Sequence, residues 1–408
     1  MSNTMRIVAG LDIGNGYVKG VVLGHGREQT RVDMPSCVAI VTNSHDIKAD
    51  VVSEVSDLIY NRLDAKFDSP MISETHRCYF GHRAIQYNRN LKEFDISGHE
   101  SKALQELSPM FILGCIAAKA VQEYYGMYQR VPSDETLDVE AVVAIALPIG
   151  EYRDYRKSYA DAFRKDTHRV SIYNFEDIVR VNIRFRQVVV FAEGAAAQYA
   201  IATLGEEFMD AMLRDTRAMG IPLEGITSSD IRAAESTVGI DIGEGTVNFP
   251  VFANGQFNPD ASRSFNKGYG TVLGGVLDRL KSKYPFDTRK ALADYLAQKP
   301  TALKRAMYSK VMDVVNEEIE PFVMEVQNEF AKVIRDVGVY TEVIYVYGGG
   351  AAAVRDALYP KLVETVKKFS GGENSALPVI YIDSKYSRWL NMNGLAIIAE
   401  AQADRVFG

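Results

Sequence analysis

Cysteine is scarce in this chain. Cys37, Cys78 and Cys115 form an odd set with no CxxC spacing, which excludes a disulfide framework and a thiolate zinc site and leaves each as a buried free thiol. Histidine is nearly as rare: His25, His45, His76, His82, His99 and His168 show no metal-ligand spacing, and His168 falls in a charged, turn-like stretch. Positive charge is thin. The formal net charge is -7, and basic residues gather only in short groups such as Lys367-Lys368 or the Lys281-Ser-Lys283 triplet. Gripping a nucleic-acid backbone calls for a basic face, so direct nucleic-acid binding by the monomer is not expected. Long apolar runs are missing too. The longest, Met110 to Ala118, is broken only by Gly114 and is about half of what a membrane-spanning helix needs. The opening residues lead straight into a strand pattern with no apolar signal core, so the chain reads as cytoplasmic, without a membrane partner. There is no GxxxxGK(S/T) phosphate loop.

What is present is an internal echo. Near the start stands Ile7-Val-Ala-Gly-Leu-Asp12-Ile-Gly14-Asn15-Gly16-Tyr17-Val-Lys19-Gly-Val-Val, and much later Thr237-Val-Gly-Ile-Asp241-Ile-Gly243-Glu244-Gly245-Thr246-Val-Asn248-Phe-Pro-Val-Phe. Each copy is an apolar strand, Asp-Ile-Gly-x-Gly, and a second β-branched strand, the pattern of a β-hairpin. A third strand is expected after each, near 29–38 and 256–265. In the first half Ser108-Pro109 predicts a helix start, with Ser108 as cap and Pro109 at the first helical position, running to about Tyr125. A strand at 139–146, a helix at 151–165 and a strand at 183–191 follow, then a small-residue helix from Glu193. The second half predicts helices over 270–283 and 287–337, a strand at 343–347, a helix to about 366, a strand at 377–382 and a final helix from about 387. This βββαβα order, met twice in 408 residues, argues an α/β chain of two related domains. Their expected spans are 1–192, with an insertion at about 40–100, and 193–408, with an insertion at about 275–338. The stretches 40–98 and 205–235 fit the repeat poorly and are expected as surface elaborations, the second helical.

Glycines between two strands let the backbone adopt positive φ and approach a ligand closely, and successive N–H groups there suit phosphate oxygens. A lone Asp-x-Gly after a strand is an ordinary turn; two copies in matching contexts point to a paired phosphate grip. Asp12 and Asp241 end the two entry strands. Magnesium keeps several waters and takes oxygen ligands, so two carboxylates in its outer shell are a sensible metal site. Lys19 emerges seven positions after Asp12 with a stem long enough for its ammonium to reach a phosphate, and Thr246 adds a hydroxyl at the other loop.

At these residues the chain resembles the actin, heat-shock-chaperone and sugar-kinase superfamily. Asp12 to Lys19 is similar to its first phosphate motif and Asp241 to Asn248 to its second, although the chaperone branch carries an acidic residue where Asn248 stands. Phe191-Ala-Glu193-Gly-Ala-Ala-Ala197 and Asn393-Gly394-Leu-Ala396 resemble the two connecting helices, and Val346-Tyr-Gly348-Gly349-Gly350-Ala351 the adenosine motif. Together with Ala-Leu-Pro-Ile-Gly-Glu-Tyr at 146–152, the first motif is most similar to plasmid-segregation actins of the ParM/StbA group.

The resemblance implies two RNase H-like domains forming an actin-like fold with a nucleotide cleft between them. It implies ATP, or GTP, with Mg2+, phosphate contacts from Gly14, Asn15, Gly16, Tyr17, Lys19, Gly243, Glu244, Gly245 and Thr246, and nucleoside contacts from Gly348, Gly349 and Gly350. Glu193 is the candidate to position the attacking water, with Asp241 as the second catalytic residue; the plainer role for Glu193 is a carboxylate favoured at a helix N-terminus. The expected function is an ATPase that polymerises, self-associating into filaments that segregate plasmid DNA through an adaptor protein. The alternative is a non-polymerising small-molecule kinase or regulatory ATPase on the same fold.

Overall fold

A computed structural model describes the chain except residues 1–3, 25, 27, 43–54, 57–58, 74, 96–100, 220–222, 224, 281–283, 285, 287 and 370–376. His25, His45, His99, the Lys281-Ser-Lys283 triplet and parts of both expected elaborations therefore lie outside the described residues. Two compact units are formed, one from Met1–Ile201 with Trp389–Gly408 and the other from Ala202–Arg388.

The first unit is built on a ten-stranded sheet: β1 Met5–Ile13, β2 Tyr17–Leu23, β3 Gln29–Pro35, β4 Cys37–Ile40, β5 Asp64–Asp68, β6 Arg77–Phe80, β7 Leu91–Glu93, β8 Thr136–Leu147, β9 His168–Ile172 and β10 Val179–Ala192. Strands β3, β2 and β1 run antiparallel, while β8 and β10 continue from β1 in parallel. Central parallel strands are covered on both faces and read as near-continuous apolar runs, as β8 does over Val139–Leu147. Alternation sorts the two faces. Ile7, Leu11, Val143 and Ile145 pack with the helix Leu107–Tyr128, buried along most of its length, whereas Ala144 and Ala146 face Leu395 and Ala399 of the C-terminal helix Leu390–Phe407. Each large apolar side chain fully enclosed here stabilises the fold by roughly 1.5–3 kcal/mol.

Two expectations fail in this unit. The 40–98 stretch is not a surface elaboration. Its strands extend the main sheet through β5, which pairs with β9, and Ile59, Tyr60, Phe67 and Phe80 join the main core. Ser108 is not a cap either. The helix begins at Leu107, and the buried Ser108 hydroxyl accepts from Tyr159 at 2.7 Å. Pro109 is tolerated because N–H groups of a first turn lack helical partners in any case.

His168, expected in a turn, opens β9 and is fully buried. Its Nε2–H donates to the Phe163 carbonyl at 2.9 Å, and Nδ1 accepts from the Ser69 hydroxyl at 2.8 Å, an arrangement that suits the neutral ring. Burial holds its pKa below the ordinary histidine value, against the opposing pull of the Phe163 carbonyl and Asp166. The unfolded chain therefore binds the proton more readily. This contribution to stability is complete above the unfolded pKa of about 6.5 and is lost as the pH falls below it, by up to about 1.4 kcal/mol per pH unit. Thermal melting between pH 7.5 and 5.5 should show the wild type losing stability more steeply than His168→Gln; parallel curves would remove His168 as the cause.

The second unit repeats the strand order. Its sheet comprises β11 Thr237–Ile242, β12 Val247–Phe249, β13 Val251–Ala253, β14 Gln256–Phe257, β15 Arg263–Phe265, β16 Val343–Tyr347 and β17 Val379–Tyr381. β12 and β13 both pair antiparallel with β11 and are separated only by Pro250, which has no N–H for the ladder. The third strand, expected over 256–265, is likewise split into β14 and β15, because the Asn258 side chain accepts from the N–H groups of Asp260 and Ala261 and turns the chain. β16 and β17 continue from β11 in parallel. The 33-residue helix Arg305–Val337 buries a stripe including Val311, Val315, Ile319, Phe322, Val326 and Phe330 at helical spacing. The helical reading of 205–235 holds in Glu206–Ala218 and Ser228–Ala233; the latter carries a capping box between Thr227 and Asp230.

Candidate functional site

The chemistry-bearing residues gather at the carboxyl ends of strands, where open α/β sheets hold ligands. In the first unit Asp12 is the last residue but one of β1 and stands directly opposite Lys19 of β2. Directly opposed residues share a face of the sheet, and Lys19 Nζ lies 2.9 Å from Asp12 Oδ2. Between them Gly14 N–H donates to the Tyr17 carbonyl at 3.0 Å, and a Cβ on Gly14 would lie 2.7 Å from that same oxygen. Ser36 fastens the loop from behind: its hydroxyl donates to the Gly14 carbonyl at 2.5 Å and its N–H to the Gly16 carbonyl at 3.0 Å. In a trans peptide the next N–H points opposite to the carbonyl, so the Asn15 N–H is turned away from Ser36. Sequence reasoning missed Ser36; its signal was one small polar residue inside the apolar run Met34–Ala39.

The second unit reproduces this hairpin in register. Asp241, the last residue but one of β11, stands opposite Asn248 as Asp12 stands opposite Lys19, and Gly243 N–H donates to the Thr246 carbonyl at 2.9 Å. Asn248 takes the lysine's place with a neutral amide. It accepts from the Ser264 hydroxyl at 2.5 Å and donates to Thr246 Oγ1 at 3.3 Å, which sets the threonine hydroxyl. The fastening comes from a helix start: Tyr269 N–H donates to the Gly243 carbonyl at 2.9 Å and Gly270 N–H to the Glu244 carbonyl at 2.8 Å. Burial pushes the Tyr269 hydroxyl up to about 12, so it stays neutral. Arg289 approaches the Glu244 carboxylate at 3.7 Å, placing a cation beside this loop that sequence reasoning did not single out.

The glycine triplet closes onto Asp241. Gly348 has φ +102°, and a Cβ there would stand 2.5 Å from Asp241 Oδ1 and 2.5 Å from the Ile242 carbonyl oxygen. Gly350 N–H donates to the Ile242 carbonyl at 2.9 Å, whereas Gly349 borders open space. Asp241, the Gly243–Thr246 loop and Gly348–Gly350 thus form one cluster inside the second unit.

Glu193 follows β10 in the first unit. Its N–H donates to the Leu147 carbonyl at 2.7 Å, and its Oε1 receives Lys102 Nζ at 2.5 Å. The carboxylate's partner is therefore a lysine ammonium, not simply the start of the helix Ala195–Thr203.

Among the described residues, no three His, Cys, Asp or Glu side chains gather as a metal cage. Asp12 and Asp241 each offer a carboxylate, the kind of oxygen donor that magnesium takes. Asp12, already engaged by an ammonium, suits the outer shell. Among the described residues no helix is long and apolar enough to cross a membrane.

Two family models match. The one described as actin-like proteins, N-terminal domain, matches residues 10–195, and the one described as archaeal actin homologue MreB-like, C-terminal, matches residues 239–359. Among solved structures, Ta0583, an archaeal actin homologue, superposes with a TM-score of 0.60 at 14% identity over 97% of this chain and 99% of that one. Bacillus thuringiensis ParM with AMPPNP gives 0.58 at 16%, over 97% and 99%. Apo pSK41 ParM gives 0.56 at 17%, over 99% of each chain. No curated protein matches the sequence.

Proposed function

We propose that this chain, whose two halves match actin-like family models, is a ParM-like ATPase whose two glycine hairpins bind the phosphates of ATP and which polymerises with ATP bound. The observation that carries this is the repeated register: Asp12 opposite Lys19, Asp241 opposite Asn248, and the same Gly-to-residue-three hydrogen bond in both loops. Ordinary turns have no reason to match in this way across 229 positions of sequence, counted from Asp12 to Asp241. Backbone N–H groups of the loops take the phosphate oxygens, with Lys19 and Thr246 beside them. The glycine opening before the helix Ala351–Phe369 takes the nucleoside.

Asp12 and Asp241 are the carboxylates that would hold Mg2+, and the ion would supply charge neutralisation at the phosphates. Glu193 orients the attacking water. GTP is a second substrate to try. Head-to-tail association of identical copies whose rotation does not close yields a filament. ParM proteins among the similar structures make plasmid segregation, through a DNA-binding adaptor, the role proposed for it.

Light scattering and phosphate release should be followed together after adding ATP and magnesium. Scattering should rise and then fall as phosphate appears, and should rise and persist with AMPPNP. Phosphate release with no scattering and no pelletable polymer, over a wide range of protein concentration, would overturn the filament reading and favour a non-polymerising ATPase or kinase.

A further inference from the structure

A buried charge pair and one conspicuous sequence motif meet at the ends of β8 and β10. Lys102 Nζ lies 2.5 Å from Glu193 Oε1, with only 5% and 13% of the two side chains exposed. β8 ends at Leu147 and passes through Pro148 into the helix Ile149–Lys165, whose first turn contains Gly150 and Glu151. Both carboxylate oxygens of Glu151 are spent on backbone: they accept the N–H groups of Lys102 and Ala103, each at 2.9 Å. The end of β8 holds the backbone of Glu193, whose N–H donates to the Leu147 carbonyl.

We propose that Lys102 is the residue that orients the Glu193 carboxylate, and that Glu151 in turn positions Lys102; this rests on the ATPase reading of Glu193. The circuit is closed. One five-residue segment, the junction of β8 with the helix Ile149–Lys165, fixes the backbone of Glu193 directly and its side chain through Glu151 and Lys102. A lysine stem left to itself samples many rotamers, but here its backbone is pinned, its ammonium sits 5.9 Å from the centre of the Phe94 ring, and the acceptor is largely withdrawn from water. A carboxylate that must hold water in line for attack gains from such fixing, because a misplacement of about 1 Å costs on the order of 100-fold in rate. Lys102 is a positioning residue on this account, acting through Glu193. The Leu-Pro-Ile-Gly-Glu motif thereby acquires a role that its position in sequence did not suggest.

The test separates nucleotide binding from turnover. Affinity for a fluorescent ATP analogue, single-turnover phosphate release and thermal melting are measured for wild type, Lys102→Met, Lys102→Arg, Glu151→Gln, Glu193→Gln and the double variant Lys102→Met/Glu193→Gln. Lys102→Met should slow phosphate release by roughly 10- to 100-fold while affinity stays within about twofold. Lys102→Arg should recover part of the rate, Glu151→Gln should lose several-fold, and Lys102→Met should cost nothing further once Glu193 is glutamine. An unchanged rate in Lys102→Met, or an equal loss with and without Glu193, overturns the proposal. Should Lys102→Met melt at the assay temperature, Glu151→Gln decides, since it leaves both charges of the pair in place: a wild-type rate there overturns the positioning circuit. Absence of phosphate release from the wild type would instead remove the ATPase reading and the proposal with it.

Discussion

Replacing Asp241 with alanine is expected to lower phosphate release by about 100-fold or more, the loss typical when one fixed electrostatic contact to the reacting phosphates is removed. Asp241 is only 5% exposed and is the last residue but one of a fully buried strand, so its direction is set by backbone rather than by solvent. Gly348 presses on it with no room for a Cβ, and that glycine sits at φ +102°, a region that residues with a side chain rarely occupy. Asp241→Asn keeps the shape and removes the charge. If the carboxylate's charge acts on the metal and phosphates, the asparagine variant should fall nearly as far as the alanine variant. Gly348→Ala should imitate both by displacing the carboxylate, with an added loss of stability of about 1–3 kcal/mol from the strained backbone. Phosphate release from Asp241→Asn and Asp241→Ala within threefold of wild type would mean that Asp241 is a buried structural carboxylate and that turnover lies elsewhere.

The parts of this arrangement that sequence revealed are those written in neighbouring residues. A hairpin states its own register: Asp12 and Lys19 are seven apart, Asp241 and Asn248 likewise, and strand alternation turns equal spacing into equal geometry. The glycines at 348–350 advertised a close approach, although not that Asp241 was what they approached. What escaped notice is made by distant pairs. Lys102 and Glu193 are 91 residues apart, and Ser36 reaches back 22 residues to Gly14; no local period or motif joins them. His168 looked solvated because its neighbours Asp166, Thr167 and Arg169 are polar, yet a strand places adjacent residues on opposite faces and so buries one of them alone. The 40–98 stretch was misjudged for a related reason. Strands as short as β6 and β7 show too few alternations to reveal a buried face, and their membership of the sheet depends on β9, about a hundred residues further on.

Gly394→Ala is expected to be among the most destabilising single changes in the first unit, although it adds one methyl group and replaces glycine by a better helix former. Its Cβ would stand 1.8 Å from the Ala196 carbonyl oxygen. Gly10→Ala meets the same helix from the other side, its Cβ 2.3 Å from Ala396 N. Both obstacles are backbone atoms, so no rotamer change relieves them, and the helix Leu390–Phe407 must move off β1 or off Ala196. Overpacking of this kind costs about 1–3 kcal/mol, and a clash with main chain belongs at the upper end. With about 2–4 °C per kcal/mol for a unit of this size, the melting temperature should drop by roughly 6–12 °C. Gly126→Ala is the control: it lies on an exposed helix turn with nothing near its Cβ, and should raise stability by about 0.5–1 kcal/mol. The double variant Gly10→Ala/Gly394→Ala should lose less than the sum of its parts, because a helix already displaced by one methyl no longer meets the other at full force. Ala196 lies three residues after Glu193 in sequence, so a shift of this packing also disturbs the candidate water-positioning carboxylate. Phosphate release by Gly394→Ala should therefore fall at temperatures where the protein is still folded; a variant melting within 2 °C of wild type would show that the helix accommodates the methyl group without moving.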